Sequence, residues 1–297
     1  MQAFEYVAPR SLDEATHVLA HVGAEARCLG GGTDLIAQMR EGRRSARVVV
    51  DIKRIPELDA LKFDPIHGLT LGAAVPCSRI HSHGAVAAAF PGLIDAVSLI
   101  GGIAIQNRAS LGGNICTASP AGDSLPALLV HNAHVLLASA QGTRRLPLSA
   151  FFVGPGKTVL RPDELVVQIE LPAPPAGFGA AYLRFTPRNE MDIAVVGVGA
   201  AVVLENGLIT QARVALGAVA PTPILVPEAA EALVGKAPSP EVFADAAAAA
   251  QRAAQPITDM RGTAEQRRHL VGVLTRRALQ RAVERARVSQ LPQPTAQ

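Results

Sequence analysis

Two glycine-rich runs constrain this chain more than any other feature: Gly30-Gly31-Gly32-Thr33-Asp34-Leu35 and Ser110-Leu111-Gly112-Gly113-Asn114-Ile115-Cys116-Thr117-Ala118-Ser119-Pro120-Ala121-Gly122-Asp123. Glycine lacks the Cβ that holds other backbones away, so each run can bring its amides against an anion. Each is trailed by groups that hydrogen-bond hydroxyls, among them Asn114, Thr117, Ser119 and Asp123. Together they read as two halves of one nucleotide clamp. Taken alone, the second run reads more readily as a tight turn with Asp123 as a helix cap.

The residues around the first run predict an α/β unit. Ser11-Leu12-Asp13-Glu14 is a capping box, with Leu12, Ala15, Val18, Leu19 and Val22 at helical spacing and Gly23 as the stop. Ala26 to Leu29 reads as a strand entering the glycines, Thr33 to Arg40 as a helix capped by Thr33, and Arg47 to Ile52 as a buried strand. Strand, glycines, helix, strand and Asp51 imitate a dinucleotide fingerprint. The imitation fails at Leu35, where close helix–strand packing requires glycine, and no further alternating strands and helices extend a parallel sheet.

Other familiar chemistries are excluded in the same way. Cys77, His81 and His83 match no common metal-ligand spacing and read as a polar helix start, so no metal is expected. Gly154-Pro155-Gly156-Lys157-Thr158 ends like a phosphate-binding loop, but the required earlier glycine is Phe151 and Pro155 lacks an amide. It reads as a structural loop. The net charge of +3 and the absence of Trp suggest no nucleic-acid surface. Ala85 to Ile105, the most apolar stretch, is broken by Pro91, Asp95 and glycines and fails as a membrane span, and the N-terminus lacks the pattern of a signal peptide. A soluble cytoplasmic protein is expected. Cys28, Cys77 and Cys116 contain no Cys-x-x-Cys, which argues against a disulfide framework or an iron–sulfur cluster held by this chain.

Pro91 to Gly101 has helical spacing, Leu165 to Leu171 reads as a strand, and Pro172 to Gly177 as a linker. Beyond it, Ala180 to Phe185 and Ala194 to Leu204 read as strands, and Asn206-Gly207 as a hairpin turn into Leu208 to Val219. Helices are expected at Glu228 to Val234, Glu241 to Ala253 and Thr263 to about Arg287. In the last of these Arg267, Arg268, Arg276, Arg277, Arg281 and Arg285 read as a solvated face, with a docking surface as the alternative.

The two glycine runs, followed by Ala118-Ser119-Pro120 and Asp123, resemble the flavoprotein subunits of the molybdenum hydroxylases. That family includes the medium subunits of xanthine dehydrogenase and carbon monoxide dehydrogenase. The resemblance continues through Phe151-Phe152-x-Gly154-x-Gly156-x-Thr158, Arg188-x-x-Met191-Asp192-Ile193-Ala194-Val195-Val196 and Asp259-x-Arg261-Gly262-Thr263-Ala264-Glu265. The chain departs from the family pattern at Gln106, Ser110 and Gln266, on the rim of the motifs rather than at their glycines.

The resemblance implies an α+β chain. A two-part FAD-binding domain of the PCMH/vanillyl-alcohol-oxidase-like type (1–54 and 55–173) would precede a C-terminal domain of antiparallel sheet plus helices (178–288) like that of CO dehydrogenase flavoproteins, and a flexible tail (289–297). It implies FAD as cofactor. Arg27, Cys28, Leu29, Gly30, Gly31, Gly32, Thr33, Asp34 and Leu35 would lie along the pyrophosphate, with Gly101, Ser110, Gly113, Asn114, Thr117 and Asp123 around the rest of the cofactor. Arg184 matches a basic position near the flavin, and Ile193 would be an apolar wall beside the isoalloxazine, with a plain core residue as the alternative. The implied partners are a molybdopterin-binding large subunit and a small subunit with 2Fe–2S clusters, with NAD+ or another acceptor taking the electrons. No catalytic acid, base or nucleophile is required of this chain. The alternative, a self-contained FAD-dependent oxidoreductase of the same fold, would need a substrate pocket with an acid–base residue.

Overall fold

The structure, a computed structural model, describes residues 2–188 and 191–290. Of the expected tail, 291–297 lie outside these residues, whereas Ser289 still belongs to the last helix. The chain forms two compact units: Met1–Val86 with Ile100–Ser119 and Asn132–Ala173, and Ala87–Leu99 with Pro120–His131 and Pro174–Gln297.

In the first unit a three-stranded parallel sheet has the order Glu5–Val7, Val48–Asp51, Ala26–Leu29. The all-apolar Val48-Val49-Val50 takes the buried centre. The helix Leu12–Val22 starts as its capping box predicts, the Ser11 hydroxyl accepting from Glu14 N at 3.1 Å, and ends at Gly23 with φ 62°. The sheet stops at three strands. Asp51, the carboxylate that imitated a dinucleotide acid, is occupied by the Tyr6 hydroxyl at 2.5 Å and by the Lys53 amide and ammonium at 3.0 and 2.7 Å. An antiparallel sheet follows, in the order Leu61–Asp64, Gly68–Gly72, Leu165–Leu171, His134–Ser139, Gly142–Pro147.

Two expectations change here. The helix predicted from Thr33 begins at Leu35, with Asp34 at its N-cap position and no side-chain cap. Gly32 turns the chain at φ 76°, and the Asp34 carboxylate instead accepts from the Thr117 hydroxyl at 3.2 Å. The Gly112-Gly113 run is not a turn but the first part of a helix, Leu111–Thr117. Ser110 caps it by accepting from Gly113 N at 3.1 Å, and with the burial of Leu111 and Ile115 this offsets the poor helix propensity of two glycines.

The second unit is built on an antiparallel sheet in the order Phe178–Phe185, Val196–Glu205, Leu208–Gly217, Ile224–Leu225. Asn206 and Gly207 form the expected hairpin turn, both at positive φ. The helix Ala264–Ser289 packs on one face, so closely that a Cβ at Gly179 would lie 2.0 Å from the Ala282 carbonyl. The helices Pro91–Val97 and Ser124–Val130 cover the other face, where Gly199 meets Pro126 and Gly92 meets Ala180. Val196 to Leu204 are therefore buried throughout.

The expected solvated arginine face of the last helix is corrected in part. Arg267 is 4% exposed, and Arg281 and Arg285 pair with Asp95, the latter through two bonds at 2.6 and 2.9 Å. A charged residue read by periodicity alone shows no sign of a carboxylate brought from far away in the chain. Among the described residues no helix is long and apolar enough to cross a membrane.

Candidate functional site

The strand Ala26–Leu29 delivers the first glycine run to the N-terminal end of the helix Leu111–Thr117, and both runs line one cavity of about 380 Å³. The glycines divide by what a side chain would meet. A Cβ at Gly31 would lie 2.0 Å from the Arg108 carbonyl oxygen, and one at Gly112 2.3 Å from that of Ala73. These two let backbone pack on backbone. At Gly30 and Gly113 the added carbon would meet only the Ser110 hydroxyl, at 3.4 and 3.3 Å. Those two leave room for something else.

Among the described residues the cavity lining carries three arginines against two acids, both of which have partners. Arg27 donates from Nη1 to the carbonyls of Ala24 and Ala26 at 2.5 and 2.7 Å, while its Nε is buried without a partner. Burial, and then the neighbouring Arg44, lower its pKa below the usual arginine value. Arg161 adds a half-exposed guanidinium. Of the acids in the lining, Asp34 is tied to Thr117, and Glu164 is engaged by Arg144 at 2.7 and 2.8 Å and by Arg161. Cys28 and Cys116 also line the cavity, and burial pushes both thiols up to about 12, so neither is a nucleophile at neutral pH.

In the second unit, strand periodicity points Tyr182 and Arg184 to the same face, where both meet Asp123. Asp123 Oδ1 accepts from the Tyr182 hydroxyl at 2.7 Å and Oδ2 from Arg184 Nη1 at 2.6 Å. Burial raises the Asp123 carboxyl to about 6, with Arg184 and Tyr182 pulling in the opposite direction. The acid is thus ionised at pH 7. It stands at the N-cap position of Ser124–Val130 but makes no side-chain cap bond.

The residues singled out from the sequence therefore fall into two sets. Arg27, Cys28, Gly30, Gly31, Gly32, Thr33, Asp34, Leu35, Ser110, Gly113, Asn114 and Thr117 line the first-unit cavity. Leu29 packs instead into the small core around Met39 and Val49, and Gly101, at φ 61°, lies beside Ile105. Asp123 and Arg184 form the buried pair of the second unit, and Ile193 is half-exposed on the segment that follows. Sequence reasoning missed Arg44, Arg161 and Tyr182. It also set aside Gly156 and Thr158 as purely structural, yet both line the cavity, Gly156 tied by its amide to Ala118 O at 2.9 Å. No spacing rule links these residues to the glycines, since only the tertiary fold brings them together.

Comparison with known proteins agrees with this geometry. The family model described as the FAD binding domain in molybdopterin dehydrogenase matches residues 2–174, and that of the CO dehydrogenase flavoprotein C-terminal domain matches 181–282. The chain is 32% identical over 279 residues to the carbon monoxide dehydrogenase medium chain of Hydrogenophaga pseudoflava, covering 94% of this chain and 96% of that one. It is 30% identical over 277 residues to the xanthine dehydrogenase FAD-binding subunit of Escherichia coli, covering 93% and 94%. A solved carbon monoxide dehydrogenase from Hydrogenophaga pseudoflava, lacking the Mo-pyranopterin moiety of its cofactor, superposes with a TM-score of 0.92 at 33% identity, over 96% of this chain and 98% of that one. The chain belongs to the FAD-binding subunits of the molybdenum hydroxylase family and is an oxidoreductase subunit whose cofactor is FAD.

Proposed function

We propose that the glycine cavity takes the FAD pyrophosphate and that the chain passes electrons from the 2Fe–2S clusters of a small partner subunit to NAD+ or another acceptor, beside a molybdopterin-bearing large subunit. The observation that carries the reading is the contrast among the glycines: Gly31 and Gly112 are closed against backbone, whereas Gly30 and Gly113 open onto the cavity. A diphosphate brings concentrated negative charge and many acceptor oxygens. Backbone amides of the two runs meet the acceptors, and Arg27 and Arg44 meet the charge. The unpartnered Arg27 Nε gains an acceptor, and the repulsion between the two guanidinium groups is relieved.

When bound, FAD supplies the capacity to collect two electrons singly and release them together. The remaining roles belong to the protein. Arg184, which Asp123 orients, would supply the positive charge that the family resemblance assigns to the flavin, a charge of the kind that favours a reduced, anionic ring. Ile193, half-exposed, would be the apolar surface that the resemblance assigns to the ring. Asp123, expected from the sequence to bind cofactor hydroxyls, already has both oxygens engaged, so its main effect is to orient Arg184.

The reading is tested by adding FAD to the purified chain, removing the excess and recording the visible spectrum. Flavin bands at one FAD per chain are expected. Their absence after reconstitution contradicts the proposal. Co-expression with candidate partners then addresses the complex: an isolated chain that oxidises a substrate by itself would favour the self-contained enzyme.

A further inference from the structure

One acid lies where an anion-binding cavity tolerates it least. Glu164 lines the cavity of the first unit, and its side chain is 1% exposed. A carboxylate there repels a bound diphosphate, and a buried one without a partner is strongly destabilising. The fold answers with Arg144, carried on the strand Gly142–Pro147: Nε donates to Oε1 at 2.7 Å and Nη2 to Oε2 at 2.8 Å. The two-pronged bond from Arg144 holds the Glu164 carboxyl below the usual carboxylate range, so it stays ionised at neutral pH with its charge matched.

The pair does more than cancel charge. Glu164 Oε2 also accepts from the Arg161 amide at 2.8 Å, Oε1 lies 3.1 Å from Arg161 Nη2, and the Glu164 amide donates to Arg161 O at 3.1 Å. Arg144 Nη2 reaches further, to Val159 O at 2.9 Å. These bonds close the turn from Val159 to Glu164, and Leu160, Arg161 and Pro162 of that turn line the cavity. The flanking strands end at Thr158 and resume at Leu165, so the turn takes its shape from Glu164 and from an arginine 20 residues away. A glutamine of the same size would bring no charge to the cavity and could still accept from the Arg161 amide. What it could not do is hold both prongs of Arg144 and the Arg161 guanidinium at once.

We infer that Glu164 and Arg144 are positioning residues of the cofactor cavity: they fix the 159–164 turn as one of its walls and hold the Arg161 guanidinium where it adds to the positive charge that meets a diphosphate. The inference rests on the reading of this cavity as the FAD pyrophosphate site. It gives a role to a buried acid that the chemistry of an anion site would otherwise disfavour.

The test uses the full chain and measures the dissociation constant for FAD by fluorescence titration. Glu164→Gln removes a negative charge from the cavity, so electrostatics alone would tighten binding. Positioning predicts the reverse, a dissociation constant about fivefold higher. Arg144→Met leaves the carboxylate unmatched and raises the constant about thirtyfold, and adding Glu164→Gln to that variant recovers about threefold. Arg161→Ala, which weakens binding in the wild-type background, adds nothing in the Glu164→Gln background, because the guanidinium is no longer held. In the FAD-free chain, hydrogen exchange at the amides of Arg161 and Glu164 becomes about tenfold faster in Glu164→Gln. If Arg144→Met fails to fold, Arg144→Lys keeps the charge without the two-pronged geometry and should weaken binding about tenfold. Faster exchange in Glu164→Gln with an affinity for FAD that rises or stays within about twofold of wild type would make the pair purely structural and overturn the inference alone. Additive losses from Glu164→Gln and Arg161→Ala would overturn it as well. A wild-type chain that takes up no FAD would overturn the underlying reading, and the inference with it.

Discussion

The cavity of the first unit is made of backbone, and the clusters of the second are made of side chains. In the cavity the decisive atoms are missing ones, the Cβ atoms absent at Gly30 and Gly113, and the donors are amides already fixed by helix and strand. Such a site can meet an anion with fixed amides, and Arg27 is the partly buried charge that adds to them. In the second unit Asp123 and Arg184 are both withdrawn from water, with side chains 10% and 6% exposed, and they also depend on Tyr182. The first kind of site fails when something is added. The second fails when something is taken away.

The largest effect tests that asymmetry from the side-chain end. Asp123→Ala leaves the Arg184 guanidinium buried without its carboxylate, and the loss is expected at about 3–5 kcal/mol. Urea unfolding followed by circular dichroism measures it, and a loss below about 1 kcal/mol would show that the pair is not isolated from solvent.

A second effect in the same unit comes from His131, whose ring lies between Phe90 and Phe178 at 5.7 and 5.5 Å. Its Nδ1 bonds Ala127 O at 2.7 Å, its Nε2 has no partner, and burial lowers its pKa to about 4. The folded state therefore resists protonation. Between about pH 6.5 and 4 the unfolded chain binds the extra proton, so this contribution to stability, up to about 3 kcal/mol, is lost as pH falls through that window. Asp123 acts in the opposite sense, because a carboxyl raised to about 6 binds its proton more readily in the folded state. The difference between wild type and His131→Leu, measured at each pH, isolates the histidine. A pH-independent difference contradicts the assignment.

A smaller effect separates neighbouring glycines of the cavity. Gly112→Ala forces a methyl group against the Ala73 carbonyl and should destabilise by about 1–3 kcal/mol, whereas at Gly113 the methyl meets only the Ser110 hydroxyl, at 3.3 Å, and Gly113→Ala should cost less than about 1 kcal/mol. Thermal melts that fail to distinguish the two would remove the division between packing and cavity glycines. The smallest effect belongs to Arg161, whose half-exposed charge is screened by solvent and shared with Asp163 and Glu164. Arg161→Ala should weaken FAD binding by less than about fivefold, and less again in high salt.

The same asymmetry decides what was legible in the sequence. Gly30 to Gly32 and Gly112-Gly113 advertise close approach through composition alone, and periodicity located the strand Ala26–Leu29, the Asn206-Gly207 hairpin and the long terminal helix. That the second run is helical was obscured, because two glycines weigh against a helix while the Ser110 cap and the burial of Leu111 and Ile115 that favour it appear only in the fold. The ion pairs were not legible at all. Arg267 looks like any surface arginine of an amphipathic helix until Val195 and Asp259 are brought to it, and Asp123 looks like a cap until Tyr182 and Arg184 claim both its oxygens. Arg44 and Arg161 joined the cavity for the same reason: folding, not spacing, brings them there.

The central claim, that the absence of a side chain at the cavity glycines makes the FAD site, is tested most directly at Gly113. FAD binding to Gly113→Val should be measured by flavin absorbance after gel filtration, with circular dichroism confirming the fold. The account predicts a folded chain whose affinity for FAD falls by about a hundredfold or more, because the branched side chain fills space that a pyrophosphate needs. A folded variant that retains a full complement of flavin would contradict it.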